Sequence, residues 1–132
     1  MIVVDASIVA NAIADDTGEG DAARRELRRD NDLAAPDLVD VETVSVLRKR
    51  WLAGDLTARR FRAAITDLGD LAILRYPTLP LMGRAYELRG NLTPYDAAYV
   101  ALAEGLGCPL LTSGGRLAAA PGPNYAIRVV SP

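Results

Sequence analysis

Ile2-Val3-Val4-Asp5-Ala6-Ser7 opens the chain, and the fold follows from how this hexapeptide is read. Three consecutive apolar residues are long enough for a short buried strand. An acid interrupts the run, and a helical pattern takes over across residues 7–14. A strand that passes straight into a helix begins a βαβ unit. In open sheets built from such units, ligands gather beyond the carboxyl ends of the strands, so Asp5 is the first residue to consider for chemistry.

The same alternation continues outward from this start. A polar loop, Asp15-Asp16-Thr17-Gly18-Glu19-Gly20, separates the first helix from a second over residues 21–29. Leu33-Ala34-Ala35 is a second strand, stopped by Pro36. A long helix over residues 38–53 ends at Gly54, a residue suited to a left-handed cap. Thr57 caps the next helix, which carries Phe61, Ile65 and Leu68 on one face. Most of the apolar group Trp51, Leu52, Leu56, Phe61 and Ile65 is expected in the core.

A third strand over residues 72–76 and a helix over 83–89 follow. Thr93-Pro94-Tyr95-Asp96 then combines a cap, a first-turn proline and an acid three residues after the cap, a strong helix start. That helix is expected to end near Glu104. Residues 109–112 and 126–130 supply the last strands. Strands alternating with helices imply a mostly parallel sheet covered on both faces, an α/β fold. With no internal repeat, low-complexity tract or linker, residues 1–132 read as a single domain.

Composition narrows the chemistry. The chain contains no histidine. This excludes Ser-His-Asp and Cys-His nucleophilic catalysis, cleavage by paired histidines and the usual histidine-bearing zinc sites. Carboxylates with a hard cation are the tools left for chemistry at neutral pH. The one cysteine, Cys108, cannot form an internal disulfide and suits a reducing compartment. No apolar run is long enough for a membrane span, and the start lacks the pattern of a signal peptide, so a cytoplasmic protein without a membrane partner is expected.

The formal charge of −2 announces no nucleic-acid partner by itself. Fourteen of the basic residues are arginine and one is Lys49. Arginine forks onto phosphate, but an arginine- and alanine-rich composition also follows from a GC-rich genome. The groups Arg24-Arg25-Arg28-Arg29, Arg48-Lys49-Arg50 and Arg59-Arg60-Arg62 are read mainly as solvated helix faces. Arg116 lies close in sequence to the candidate site and is the better candidate for a phosphate contact.

Three acids fall where such a sheet binds ligands. Asp5 follows the first strand, Glu42 lies in the helix after the second, and Asp96 sits in the first turn of its helix. Each has a plainer reading. Asp5 can simply cap the first helix, Asp96 can be the second half of a capping box, and Glu42 has acidic neighbours in Asp37 and Asp40. Periodicity alone leaves these alternatives open.

A resemblance bears on them. Ile2-Val3-Val4-Asp5-Ala6-Ser7 resembles the first strand and D-x-S motif of PIN domains, and in particular of the VapC ribonuclease toxins of bacterial toxin–antitoxin pairs. Pro36-Asp37-Leu38 followed by Glu42 resembles the segment that bears that family's helix glutamate. The run from Leu92 to Ala103, containing Thr93-Pro94-Tyr95-Asp96-Ala97-Ala98-Tyr99, resembles its T-x-Y-D-A-x-Y-V-A-L-A helix. Leu110-Leu111-Thr112-Ser113-Gly114-Gly115-Arg116-Leu117-Ala118 resembles its L-L-T-x-D-x-R-L-A segment.

The resemblance implies a three-layer α/β/α sandwich and an endoribonuclease dependent on Mg2+ or Mn2+, hydrolysing RNA. It implies a VapB-like antitoxin partner and a homodimer. It assigns Asp5, Glu42 and Asp96 to the metal site as catalytic acids, with Ser7 and Thr112 as polar support; the neighbouring Ser113 offers a further hydroxyl, a poorer partner for a divalent cation than a carboxylate. Helices around Trp51 and Phe61 would also form a groove for an antitoxin segment. One departure stands out: Gly114 occupies the place of the family's usual fourth aspartate. A site without that carboxylate is a weakened nuclease, a catalytically inactive domain acting as an RNA- or antitoxin-binding regulator, or an engineered inactivation of a toxic protein. An aspartate-nucleophile phosphatase fits poorly, because Asp5-Ala6-Ser7 lacks the second acid of D-x-D, and a phospho-receiver fits poorly because it wants paired acids at that strand end and a lysine late in the chain.

Overall fold

β1 (Ile2–Val4) is buried along its whole length, and the other strands are laid out around it. In the computed structural model, which describes residues 1–29, 32–114, 117 and 127–129, β1 pairs in parallel with two neighbours. These are β2 (Leu33–Pro36) on one side and β4 (Leu110–Thr112) on the other. β3 (Ile73–Tyr76) extends the sheet beyond β2, and β5 (Ile127–Val129) extends it beyond β4. The order is β3-β2-β1-β4-β5, all parallel. Strands covered on both faces have no polar side to present, which is why β1 and β2 are continuous apolar runs and β4 opens with Leu110-Leu111. Val3, Val4, Leu110 and Leu111 are fully enclosed. Each such side chain contributes about 1.5–3 kcal/mol of transfer free energy.

Helices α1 (Ala6–Ala14) and α2 (Gly18–Arg29) connect β1 to β2, and α3 (Val39–Leu52) and α4 (Ala58–Asp70) connect β2 to β3. A 3-10 turn at Leu79–Leu81, α5 (Met82–Glu87) and α6 (Pro94–Leu106) lead back to β4. The first four helices pack among themselves, and α5 packs on α6. The chain steps outward from β1 through β2 to β3, then crosses back to β4. Right-handed crossovers put helices made on the outward and return journeys on opposite faces, hence three layers. The direction reverses between β1 and β4, and a reversal of this kind opens a crevice outside the carboxyl ends of those strands.

Helix ends follow local chemistry. The Thr57 hydroxyl accepts the Arg60 amide at 3.1 Å, and the Thr93 hydroxyl accepts the Asp96 amide at 3.2 Å. Both threonines cap where the sequence places them. Gly54, with φ +82°, follows α3, and Gly107, with φ +63°, closes α6. Glycine takes these left-handed angles without a Cβ clash. The second was not anticipated, so α6 continues to Leu106 past the expected end near Glu104.

Other local expectations change. Pro36 does not lie just beyond β2 but is its last residue, opposite Tyr76. A proline is tolerated there because the next amide, of Asp37, donates to the Tyr76 carbonyl at 2.7 Å. α2 begins at Gly18, inside the expected loop. Its first turn is satisfied by the Asp15 side chain, which accepts the amide and hydroxyl of Thr17 and the amide of Gly20.

On α4 the buried stripe is Ala64 and Leu68, with Phe61 partly covered. Ile65 is exposed, because one residue of helix turns it about 100° away from Ala64. Trp51 and Leu52 are exposed as well, while Leu56 is buried. The apolar group of that region is therefore mostly surface.

Candidate active site

The crevice between β1 and β4 is where the sequence motifs meet. Asp5 begins it: its amide donates to the Leu111 carbonyl at 3.2 Å, tying the end of β1 to β4. Its carboxylate caps α1 by accepting the Ile8 amide at 3.2 Å. It also accepts the Ser7 hydroxyl at 2.6 Å and the Thr112 hydroxyl. The capping reading of Asp5 holds, yet it does not exhaust the residue, because Asp5 also lines an open cleft.

That cleft, of about 250 Å³, is lined by Asp5, Glu42 and Asp96 together with Ser7, Tyr99, Thr112, Ser113 and Gly114. Glu42 reaches it from the first turn of α3 and Asp96 from the first turn of α6. All three acids are half-buried. Ser7 holds two sides of the cleft together, donating to Asp5 and accepting the Ser113 amide at 3.3 Å. The Thr112 hydroxyl in turn accepts the Gly114 amide at 3.1 Å. Arg116 and Gly115 lie outside the described residues.

The electrostatics are those of a crowded acidic site. Burial pushes the Asp5 carboxyl above the usual carboxylate range, the Ser7, Thr112 and Ile8 hydrogen bonds oppose this, and the Asp96 charge adds to the rise. Burial raises Glu42 too, against its bond from Tyr99, with repulsion from Asp96 and Asp5 reinforcing the shift. Like charges ~4 Å apart cost about 4 kcal/mol at an effective dielectric near 20. Such a group relaxes by taking up protons or a cation.

The donors fit a hard divalent ion in kind, being carboxylate oxygens flanked by hydroxyls. They are not a ready chelate: among the described residues no three acidic side chains are gathered tightly enough to hold a metal as they stand. Asp5 and Glu42 each direct an oxygen to a neighbouring hydroxyl.

Tyr99 is the residue that sequence reasoning passed over. Its hydroxyl donates to Glu42 Oε1 at 2.7 Å. Burial first, and then the Glu42 bond and charge, push its ionisation far upward, so it remains a donor. The signal available was a lone aromatic three residues after Asp96, in an otherwise small-residue helix face.

Gly114 is exposed and lines the same cleft. A Cβ built there meets only the Thr112 hydroxyl oxygen, at 3.7 Å, an ordinary contact. The missing carboxylate is not demanded by crowding.

A larger cleft of about 680 Å³ lies between the ends of α1, α3 and α4, lined by Asp15, Asp16, Arg50 and Arg60 among others. None of the predicted site residues reaches it. Its cations have local work: Arg60 pairs with Asp16 at 3.3 Å, and Arg50 donates to Asn11 Oδ1 at 2.6 Å. Arg24 similarly bridges Asp21 and the carbonyls of Ala12 and Asp15, and Arg29 pairs with Glu26. Arg24, Arg50 and Arg60 thus tie their helices to α1 and the loop after it, while Arg29 pairs within its own helix. Among the described residues no helix is long and apolar enough to cross a membrane.

Comparison with known proteins finds a family model, relatives and structures of like fold. The family model of the PIN domain matches residues 2–123. The ribonuclease VapC1 of Mycobacterium tuberculosis is 43% identical over 131 residues, covering 97% of this chain and 96% of that protein. Among solved structures, the sarcin-ricin loop cleaving toxin VapC20 of M. tuberculosis superposes with a TM-score of 0.71 at 19% identity, covering 90% of this chain and 94% of that one. VapBC2 of Rickettsia felis, crystallised on a DNA fragment from its promoter, gives a TM-score of 0.70 at 15% identity, covering 99% and 100%. At these identities the two structures speak for the fold.

Proposed function

The chain belongs to the PIN-domain family, and from that membership we propose that it is an endoribonuclease toxin of a type II toxin–antitoxin pair. One observation carries the reading: Asp5, Glu42 and Asp96, from three distant parts of the sequence, line a single cleft at the switch point of the sheet. A relative 43% identical over nearly the whole chain, from M. tuberculosis, is named ribonuclease VapC1.

In this reading Asp5, Glu42 and Asp96 hold a magnesium or manganese ion as the catalytic acids. Bound there, the ion supplies neutralisation of charge developing on phosphorus and a lowered pKa for the attacking water. Ser7 and Thr112 orient the Asp5 carboxylate, Ser113 adds a hydroxyl at the rim, and Arg116 contacts the RNA phosphate. A VapB-like antitoxin, a homodimer, a single folding unit and a cytoplasmic location complete the proposal.

The test is manganese-dependent cleavage of RNA by the purified chain. Asp96→Asn abolishes cleavage while leaving the thermal unfolding transition in place. Equal cleavage by wild type and Asp96→Asn overturns the assignment.

Gly114 favours a second reading, in which the domain lacks catalysis and binds RNA or antitoxin as a regulator. A cleft with three acids and a glycine at the fourth position has one oxygen ligand fewer for an ion or a positioned water. Calorimetry separates the two: no heat of manganese binding supports the regulator.

A further inference from the structure

We infer that Tyr99 is a positioning residue for the metal site, fixing the Glu42 carboxylate and coupling it to the helix that carries Asp96. This rests on the reading of Glu42 as a metal ligand. Three observations carry it.

The Tyr99 hydroxyl donates to Glu42 Oε1 at 2.7 Å across fifty-seven positions of sequence. The ring is 2% exposed, so the hydroxyl is delivered from a packed and immobile base. Tyr99 stands one helical turn after Asp96 on α6, so a single rigid element presents one acid to the cleft and sets the direction of another.

The chemistry gives this bond a purpose beyond satisfying a buried hydroxyl. Glu42 sits on the first turn of α3, has three side-chain torsions, and shares one cleft with the like-charged side chains of Asp5 and Asp96. Left alone, such a side chain spends its time away from the other acids. A neutral donor at Oε1 holds it at the cleft without competing for the ion, because a phenol is a poor ligand while protonated. Partners that orient a ligand in this way matter to metal affinity nearly as much as the ligands themselves.

Manganese titration calorimetry on the full chain tests the inference, with Tyr99→Phe as the variant and Val100→Ala as a control for loosened packing. Val100 is fully buried on the same helix and does not line the cleft. Tyr99→Phe keeps the ring and is expected to weaken manganese binding at least about tenfold, with the metal-free melting temperature lowered no further than the loss of one hydrogen bond requires. RNA cleavage should lose kcat with KM for RNA unaltered.

Val100→Ala should do the reverse, lowering the melting temperature and leaving manganese affinity within about twofold of wild type. Tyr99→Phe with wild-type affinity, or Val100→Ala with an equal loss, overturns the role of Tyr99. Absence of manganese binding in the wild type is a different result, and it overturns the metal-site reading beneath.

Discussion

The Ser7 hydroxyl lies 2.6 Å from Asp5 Oδ1 and donates to it, while Ser7 Oγ itself accepts the Ser113 amide at 3.3 Å. One side chain thus joins the loop after β1 to the loop after β4. Ser7→Ala removes a donor from a half-buried carboxylate and leaves an amide without its acceptor. The expected cost is about 1–2 kcal/mol of stability, read from the urea midpoint at constant slope. The Asp5 carboxyl should titrate still higher, followed by carbon NMR. A variant with wild-type midpoint and titration shows that the bridge carries no weight.

The acids of the cleft predict an unusual pH dependence. Asp5 and Glu42 titrate above their ordinary values in the folded chain. Between the ordinary and the raised value the folded state binds more protons than the unfolded state, so these groups lower stability as pH rises through that window. Glu42→Gln cannot ionise. Without metal it should therefore gain stability relative to wild type at neutral pH, and lose that advantage in acid. Manganese should stabilise the wild type alone, by about 2.7 kcal/mol at a hundred times its dissociation constant. A difference between the two proteins that grows toward acid contradicts the raised Glu42 carboxyl.

Gly114→Asp is sterically permitted, since the new Cβ meets only Thr112 Oγ1 at 3.7 Å. Its effect on stability should stay within about 0.5 kcal/mol, as for an ordinary surface change. Manganese affinity and manganese-dependent cleavage should both rise, because a carboxylate joins the cleft. Calorimetry and a fluorescent RNA assay measure the two effects. A folded variant with neither gain removes position 114 from the site.

Gly20→Ala should be strongly destabilising, although alanine is the better helix former by about 1 kcal/mol. A Cβ on Gly20 falls 1.8 Å from the Asp15 carbonyl oxygen and 3.0 Å from that of Asn11, both backbone atoms. α2 must then move off the end of α1, disturbing the Arg24 bonds to Ala12 and Asp15. A loss of at least about 2 kcal/mol is expected by denaturant unfolding, in the upper part of the range for overpacked sites. Stability equal to or above wild type shows that the two helices are not so closely apposed.

Local signals account for what was legible beforehand. Thr57, Thr93 and Gly54 act through their own backbone neighbours, so their roles are visible in a short window of sequence. Ile2-Val3-Val4 and Leu110-Leu111 declare buried strands by having no polar position. The exposure of Trp51, Leu52 and Ile65 was not legible, because an apolar residue on a helix does not state whether another element covers it. Tyr99 was missed for the same reason: its partner is on another helix.

The stretch from Asp37 to Glu42 marks the boundary between the two kinds of information. By itself, the sequence determined that this segment begins a helix after a strand and that its acids are available for chemistry without histidine. Only the tertiary structure separated those acids. Asp37 accepts the Thr78 hydroxyl at 2.6 Å, Asp40 is paired with Arg75 at 2.9 Å, and Glu42 alone of the three lines the cleft with Asp5 and Asp96. Successive helix positions turn by about 100°, so Asp40 and Glu42 leave α3 on nearly opposite sides. Periodicity fixes that divergence, but what each side meets is supplied by chain segments more than thirty residues away, and packing decides it.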